Sequence, residues 1–419
     1  MNEYASVLLW AIPGFLILVI FEILYGHITK KQSYVFMDTL ASLSSGVTNI
    51  LKDILGLAVI IISYPYILEK IAIFEVENSL LTYFIAFICI DLASYFVHLI
   101  NHKVNFFWNQ HIIHHSSEEF NLACALRQSI SNLVGFGGIF LIPAALMGLP
   151  TEVISTLTPI HLFAQFWYHT KHIGKMGFLE YIIVTPSQHR VHHAINPIYI
   201  DKNLAAIFCV WDRIFGTFQE ELDSEPPIYG TLKPVLSWNP FWINFQHFFL
   251  LARDAWYTKK WEDKFVLWFK PTGWRPKDVQ IRFPVMKRKL NINDKYSPKY
   301  NWKWKVIGSL HFIVLIAVLI YFLFCFSNFT PAFQLNFGIL IFTTVFGFTS
   351  LMDYYNWAPN FEIFRGFTFL ILFYLAQGEI ILQTNFWLFN FLITYFIFTI
   401  GVGIWAKYNI SNRKLALTK

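Results

Sequence analysis

The feature that most constrains this chain is a series of apolar runs, each close to the length of a membrane-spanning helix. About 20 consecutive apolar residues in helical conformation cross the hydrocarbon core of a bilayer. The runs that we predict to be transmembrane helices lie at 5–26, 49–68, 79–100, 130–148, 151–168, 306–326, 333–352, 366–383 and 386–406. A chain with this pattern is expected to fold as an all-α, polytopic helical bundle in a membrane.

The fourth and fifth of these runs are separated only by Leu149 and Pro150. So short a connection predicts a tight helical hairpin. Proline inside a helix removes a backbone hydrogen bond and introduces a kink. Pro143 and Pro159 can therefore bend this hairpin or keep it from spanning the membrane fully.

Charge supports a membrane fold and predicts its orientation. Only 14% of the residues are charged, against about 25% in soluble domains. Much of the net charge of +6 comes from Lys and Arg in loops beside apolar runs, a pattern that reflects membrane topology rather than nucleic-acid binding. One alternating topology puts the N-terminus outside, and the C-terminus and the histidine clusters on the cytoplasmic side. The first run lacks the basic segment and cleavage site of a signal peptide, so we predict an uncleaved helix.

Polarity divides the chain into four predicted parts. Residues 1–78 hold the N-terminal membrane helices, 79–218 the histidine-bearing catalytic domain, and 303–419 the C-terminal membrane helices. The part between them, 219–302, is rich in proline, which argues against long helices there. Its mixture of Trp, Phe and Lys fits either helices lying in the membrane interface or a polar cap with an aromatic core. The four cysteines form no CxxC pair and indicate neither a disulfide framework nor a zinc ribbon.

Three tight histidine clusters carry the chemistry of the chain. They are HLINH (His98, His102), HIIHH (His111, His114, His115) and HRVHH (His189, His192, His193). Residues three or four apart share one face of a helix, so each cluster can chelate an ion. Adjacent histidines point about 100° apart, so one cluster can serve two neighbouring ions. Eight imidazoles exceed the needs of one metal, and we predict a di-metal centre on the cytoplasmic side.

The histidines alone leave the metal open, because imidazole suits zinc, copper, iron and nickel. A zinc hydrolase would be expected to carry a carboxylate inside a cluster, as in HExxH, and none is present. A haem carrier would place paired histidines on facing helices. A metal transporter would place ligands on broken helices near the bilayer midplane, whereas these clusters lie at helix ends. His27, His247 and His311 stand apart and are expected to pack or to donate hydrogen bonds.

The clusters occur within a longer pattern. The run HLINHKVNFFWNQHIIHHSSEEFNLACALRQS, then QFWYHT, then TPSQHRVHHAINPIYIDKNLAAIFCVWDRIFGTF resembles the fatty acid hydroxylase superfamily, also called the sterol desaturase family. The resemblance covers about residues 80–220 and is greatest to the alkylglycerol monooxygenase branch and its bacterial relatives. It implies an integral-membrane di-iron enzyme that activates O2 to hydroxylate a lipid C–H bond.

The resemblance also implies roles for individual residues. The two iron ions would be held by the box histidines His98, His102, His111, His114, His115, His189, His192 and His193. His169 matches a further family histidine and is a candidate ninth ligand or a donor to a ligand. His161 and His172 match more weakly and are expected to be structural or to donate to a ligand. The residues expected to orient the ligands or to brace the loops are Asn121, Arg127, Asp201, Asn203, Asp212 and Arg213.

The implied partners are a membrane lipid, O2 and an external electron donor, since no flavin, haem-attachment or ferredoxin motif is present. The reaction would be ether cleavage of an alkylglycerol or hydroxylation of a fatty acyl chain or sterol. Desaturation by the same centre is an alternative, as is a non-enzymatic membrane protein that binds metal or haem. Lys103 occupies a place where the branch usually has glutamate, which leaves open whether tetrahydrobiopterin is the cofactor. Gln188 stands where relatives often have histidine.

Overall fold

The computed structural model describes residues 2–60, 62–376 and 386–417, with side chains from residue 7 to residue 410. About 63% of the chain is helical, which confirms the all-α class. Among the described residues, five helices are long and apolar enough to cross a membrane: Val7–Ile28, Leu80–Lys103, Trp302–Asn328, Pro331–Met352 and Phe386–Ile410. They confirm five of the predicted helices, those at 5–26, 79–100, 306–326, 333–352 and 386–406.

The helices of the described residues are α1 (Asn2–Ile28), α2 (Phe36–Ile54), α3 (Tyr64–Ile71), α4 (Leu80–Lys103), α5 (Asn105–Trp108), α6 (Ile142–Leu146), α7 (Thr151–Phe163), α8 (Pro186–His192), α9 (Val210–Ile214), α10 (Pro240–Tyr257), α11 (Trp261–Val266), α12 (Lys277–Arg282), α13 (Trp302–Cys325), α14 (Pro331–Met352), α15 (Ala358–Leu375) and α16 (Phe386–Leu417). Short 3-10 turns lie at His114–Ser116, Leu122–Leu126, Gly137–Leu141, Gly177–Tyr181 and Phe326–Asn328. Two short strands, β1 (Val59–Ile60) and β2 (Val134–Gly135), pair in parallel.

The prediction of a membrane helix at 49–68 is wrong. Helix α2 ends at Ile54, and Gly56 then adopts a φ of +62°, a conformation that does not continue a helix. The chain continues through β1 and begins α3 with Pro65 in its first turn. Proline is favoured at that position because its missing N–H would be unpaired there in any case.

The predicted hairpin at 130–148 and 151–168 is also wrong. The first run forms β2, a 3-10 turn and the five-residue α6, and α7 stops after 13 residues. Gly148 has a φ of +71°, and a side chain there would collide with the carbonyl of Phe74. These short elements pack against α3 and α4 instead of spanning the membrane.

The predictions for the run at 366–383 and for the proline-rich segment agree with the structure only in part. The run at 366–383 begins within α15, which starts earlier, at Ala358, and its positions from 377 onward lie outside the described residues. The proline-rich segment does contain a long helix, α10, which has 18 residues. Its proline, Pro240, sits in the first turn and therefore does not interrupt it. The four cysteines are free, as the sequence predicted.

The largest core joins the C-terminal helices α13–α16 to α1 and α2. An ion pair is buried within it, with Arg365 Nη2 2.6 Å from Glu362 Oε2 and Arg365 Nη1 2.9 Å from Thr344 Oγ1. At the end of α14, Asp353 accepts hydrogen bonds from Ser237 Oγ at 2.6 Å and Tyr296 Oη at 3.0 Å. The contacts of Asp353 attach the C-terminal bundle to the segment between it and the histidine-bearing part.

Two buried carboxylates on membrane helices hold the histidine-bearing loops in place. Asp91 of α4 is fully buried and accepts hydrogen bonds from His161 Nε2, the backbone N–H groups of residues 207 and 208, and the indole of Trp211, at 2.7–3.0 Å. Near the end of α1, Glu22 accepts from Tyr34, Thr170 and the backbone N–H of residue 122. The loops around residues 120, 170 and 207 are thereby fixed to the membrane helices.

Candidate di-metal centre

The nine predicted histidines come together in two adjacent groups. The five-histidine group contains His98, His102, His111, His115 and His192. The four-histidine group contains His114, His169, His189 and His193. In each group the candidate ligand nitrogens all lie within 4.8 Å of one another. His161 and His172 lie outside both groups, His161 against Asp91 and His172 against the ring of Tyr25.

Helical spacing explains how the boxes are divided between the groups. Histidines four residues apart stay together, as His98 with His102, and His189 with His193. Histidines three residues apart, such as His189 and His192, fall into different groups. Along a helix, three residues turn the side chain about 60° to one side of the starting direction, and four residues turn it about 40° to the other side. The second box is irregular rather than α-helical, since α5 ends at Trp108 and a 3-10 turn holds His114. Even so, His114 and His115 serve different groups, as their predicted divergence requires.

The Nε2 atoms converge at short distances. In the five-histidine group, His98 Nε2 lies 2.9 Å from His111 Nε2, and His102 Nε2 lies 3.2 Å from His115 Nε2. In the four-histidine group, His189 Nε2 lies 2.9 Å from His169 Nε2 and 3.0 Å from His193 Nε2. The stacked rings of His115 and His193, 4.5 Å apart between centroids, join the two groups.

One loop, residues 201–204, orients three rings of the five-histidine group through their outer nitrogens. His98 Nδ1 lies 2.7 Å from the carbonyl oxygen of Leu204, and His192 Nδ1 lies 3.0 Å from that of Lys202. His102 Nδ1 lies 3.3 Å from Oδ1 of Asp201. In the other group, His169 Nδ1 lies 3.1 Å from the carbonyl oxygen of residue 165.

These contacts fix the tautomers of the rings. A carbonyl oxygen only accepts, so Nδ1 of His98, His169 and His192 must carry the proton, which leaves a lone pair on Nε2. Nε2 of His192 is buried and has no hydrogen-bond partner among the described residues. Buried lone pairs converging on one point need a cation, and imidazole nitrogen is a ligand for iron, zinc, copper and nickel. The residues present therefore fit a metal centre.

Burial favours the neutral ring that binds metal. Outside α4, burial and then the neighbouring histidines lower the pKa of the ring well below its usual value at His111, His114, His115, His189, His192 and His193. At His169, burial lowers the pKa to about 4, although hydrogen bonds to two carbonyls oppose the shift. These rings are neutral at pH 7, the protonation state in which imidazole coordinates metals.

The residues expected to brace the loops do so around residues 201–204. Asp201 and Asn203 adopt positive φ values of 57° and 52°. The amide of Asn203 donates to the carbonyl of Gln188 at 3.0 Å. Asp212 accepts from the backbone N–H of Leu204 at 2.7 Å. The loop is thus held in an uncommon conformation that turns its carbonyl groups towards the histidines.

The other residues that were expected to brace the loops also donate hydrogen bonds to distant parts of the chain. Asn121 donates to the carbonyl of residue 33 at 2.7 Å, and Arg213 donates to the carbonyl of residue 180 at 2.9 Å. Arg127 is buried and donates to Ser116 Oγ at 2.7 Å and to Asp38 Oδ1 at 2.6 Å. Sequence reasoning missed Asp38, although an acidic residue at the start of an apolar helix is a usable signal. It also missed Glu22 and Asp91, which lie inside predicted membrane helices.

Comparison with known proteins gives a consistent result. The family model described as fatty acid hydroxylase matches residues 83–217. The chain is 35% identical to alkylglycerol monooxygenase of Xenopus tropicalis over 85% of its own length and 80% of that protein. It is 38% identical to the Homo sapiens alkylglycerol monooxygenase over 64% of its length and 59% of that protein. It is 25% identical to an ornithine lipid hydroxylase of Rhizobium tropici over 30% of its length. No solved structure matches it significantly.

Proposed function

Because the chain belongs to the fatty acid hydroxylase family and is a membrane lipid monooxygenase, we propose that it oxidises ether lipids with two iron ions. The two groups of buried and partly buried histidines, with their Nε2 atoms turned towards one another, are the observation that carries the proposal. The five-histidine group would hold one ion and the four-histidine group the other.

Iron supplies what side chains lack, which is the ability to use O2 to break an unactivated C–H bond. The protein's own residues orient the imidazoles and keep water away. The loop at 201–204 fixes the rings from outside, and six of the nine histidines are buried from solvent. Because His169 completes the four-histidine group, we propose that it is a ligand rather than a donor to one.

An O-alkyl lipid is the substrate class favoured by the comparisons, since the similarity to alkylglycerol monooxygenases extends over most of the chain. The reaction takes one O2, two electrons and two protons. One oxygen atom enters the C–H bond beside the ether oxygen and the other leaves as water. The product is a hemiacetal, which breaks its C–O bond to give a fatty aldehyde and a glycerol. The electrons come from an external donor, consistent with the lack of a redox motif in the chain.

We also propose that the histidine groups face the cytoplasm, as the distribution of Lys and Arg predicts. In support, the end of α14 lies near the second histidine box, because Tyr296 forms hydrogen bonds with both Asp353 and Glu118. The start of α13, which carries lysines, lies beside it. The ring of Trp304, at the start of α13, lies 4.9 Å from the rings of Tyr354, just after α14, and Trp405, in α16. Lys103 ends α4 at the histidines themselves.

The segment between the catalytic and C-terminal parts is proposed to lie in the membrane interface. In α10 and α11 the side chains of Trp256, Trp261 and Phe265 are exposed, Trp256 by 78%. Exposed aromatic rings of this kind suit the headgroup region better than water. The four-part division of the chain remains a prediction.

Metal analysis and labelled oxygen test the proposal together. The purified protein should contain about two iron ions and convert an O-alkylglycerol to aldehyde with incorporation of 18O from 18O2. His114→Ala and His192→Ala remove one member from each group and should abolish the conversion. Exposed His27 is the control position, and His27→Ala should retain iron and activity. Full activity in either site variant would refute the di-iron assignment.

A further inference from the structure

A cationic cavity lies beside the four-histidine group. Its volume is about 290 Å³. The charged and aromatic side chains that line it are Glu118, Lys171, Arg190, Tyr229, Arg288 and Lys295. Arg190 lies inside the third histidine box, and Lys171 follows His169 by two residues. The cavity is therefore built from the same chain segments as the proposed metal site.

Two aromatic rings separate this cavity from the histidines. The ring of Tyr229 stacks on that of Phe120 with 5.2 Å between centroids. The ring of Phe120 in turn lies 5.3 Å from that of His193. Only the rings of Tyr229 and Phe120 would lie between a group bound in the cavity and His193.

The cationic side chains outnumber the carboxylates that neutralise them. Glu119 is shared by two lysines, with Lys295 Nζ at 2.5 Å and Lys171 Nζ at 3.5 Å. The two arginines pair separately, Arg288 with Glu118 and Arg190 with a further glutamate. Four cations against three carboxylates leave one positive charge in excess.

Two of the cations retain unused donors. Lys171 is held loosely by its carboxylate, and its Nζ lies 4.9 Å from the centroid of the Tyr229 ring. The side chain of Arg288 is only 4% exposed, and its Nε has no hydrogen-bond partner among the described residues. A buried donor without a partner is costly, and an anion would supply the missing acceptor.

The position of the cavity relative to the membrane indicates where that anion comes from. Thr170 donates to Glu22, and the ring of His172 lies 5.0 Å from that of Tyr25. Both partners lie in the last two turns of the membrane span that ends at Ile28. Lys171, between Thr170 and His172, thus lies at the end of a membrane helix, where lipid headgroups are found.

We propose that this cavity binds the phosphate of a lipid headgroup, so that the enzyme selects phosphate-bearing lipids. The inference rests on the proposed function, because it names the class of lipid that the same site takes. Arg and Lys together suit phosphate, with the guanidinium giving directed hydrogen bonds and the ammonium a point charge. An inorganic phosphate ion would make the same contacts, and the experiment separates these two sources.

A binding assay on the full chain tests the proposal without any turnover. The protein is purified in a maltoside detergent, which contains no phosphate, and is titrated with 1-O-alkylglycerol-3-phosphate or with 1-O-alkylglycerol of the same chain. Retained lipid is counted by native mass spectrometry. We expect the wild type to bind the phosphate lipid more tightly than the neutral lipid by about tenfold or more. Lys171→Gln and Lys295→Gln should each remove most of that difference.

The control is Lys175→Gln, which removes an exposed lysine that pairs with exposed Glu220, outside the cavity, and should bind as the wild type does. Equal binding of the two lipids by the wild type, or unchanged preference in both cavity variants, would overturn the proposal. Binding of inorganic phosphate that displaces no lipid would overturn the lipid source. Iron content and 18O incorporation are recorded on the same samples. If iron content or 18O incorporation is lost while the preference for the phosphate lipid remains, the result counts against the proposed function alone.

Discussion

The Nζ atom of Lys103 lies 2.7 Å from Oδ2 of Asp201, whose other carboxylate oxygen lies 3.3 Å from Nδ1 of His102. Burial raises the pKa of Asp201, but hydrogen bonds with His102 and Lys103 outweigh it and hold the pKa below the usual value. The carboxylate thus stays charged and directs the ring of His102 inward. Lys103 therefore has a clear local role, which is to keep this carboxylate in place.

Exchanging this lysine for glutamate should weaken the proposed metal site. In Lys103→Glu the new carboxylate would repel Asp201 and loosen its contact with His102. Losing such a partner typically lowers metal affinity or activity by about 10–100-fold. The measurement is the rate at which a chelator removes iron from the purified variant. Lys103→Arg keeps the charge and should lose iron at the wild-type rate, and an equal rate in Lys103→Glu would contradict the explanation.

Removing the Asp91 carboxylate should destabilise the catalytic part strongly. Asp91→Ala leaves four donors without an acceptor, the buried ring of His161 and three partly buried donors that include the indole of Trp211. Each unpaired buried donor costs about 1–3 kcal/mol, so a loss of at least about 3 kcal/mol is expected. Thermal unfolding in detergent would measure it. The control is Glu69→Gln, which changes an exposed carboxylate and should leave the midpoint in place.

His169→Ala should empty one metal position and spare the other. His169 belongs to the four-histidine group, and the five-histidine group has all its members without it. The iron content should therefore fall from about two ions per chain to about one. Mass spectrometry of the metal, calibrated to protein concentration, measures the ratio. Unchanged iron content would mean that His169 only positions a ligand.

The buried pair in the C-terminal bundle predicts a non-additive double-mutant cycle. Arg365→Met leaves the carboxylate of Glu362 uncompensated, and loss of one member of a buried pair costs about 3–5 kcal/mol. Glu362→Gln with Arg365→Met removes both charges and should be more stable than Arg365→Met alone. The comparison is made by unfolding midpoints of the single and double variants. A double variant less stable than both single variants would show that the pair is not coupled in this way.

The sequence was most informative where a single pattern repeats over a long stretch. Helices such as α4 and α13 are apolar over more than 20 residues, and no local conformation competes with them. The histidine boxes were readable for the same reason, because their spacing is set by the geometry of a helical turn. That geometry accounts for the pairing of His98 with His102, whereas His114 and His115 lie in different groups although the second box is not α-helical.

The sequence was least informative where apolar residues alternate with glycine and proline. At Gly56 a positive φ breaks a run whose hydropathy suits a membrane helix, and the run at 130–148 forms β2, a 3-10 turn and the short α6 instead. Hydropathy measures only the cost of burying side chains, so it cannot separate one spanning helix from several short elements buried against others. Likewise, Asp38 and Asp91 could not be assigned their partners, since Arg127 and Trp211 are distant in sequence and meet them only in the fold.

The contacts on Glu118 and Glu119 have a consequence for how the protein is made. The residues that hold these carboxylates, Arg288 and Lys295, are synthesised long after the last histidine box. A nascent chain therefore possesses every candidate ligand while one side of its second box is still uncovered. The ion pairs of Glu118 and Glu119 with these two residues form only after the segment preceding α13 has left the ribosome. A chain interrupted before residue 288 would retain all nine histidines but lack these ion pairs.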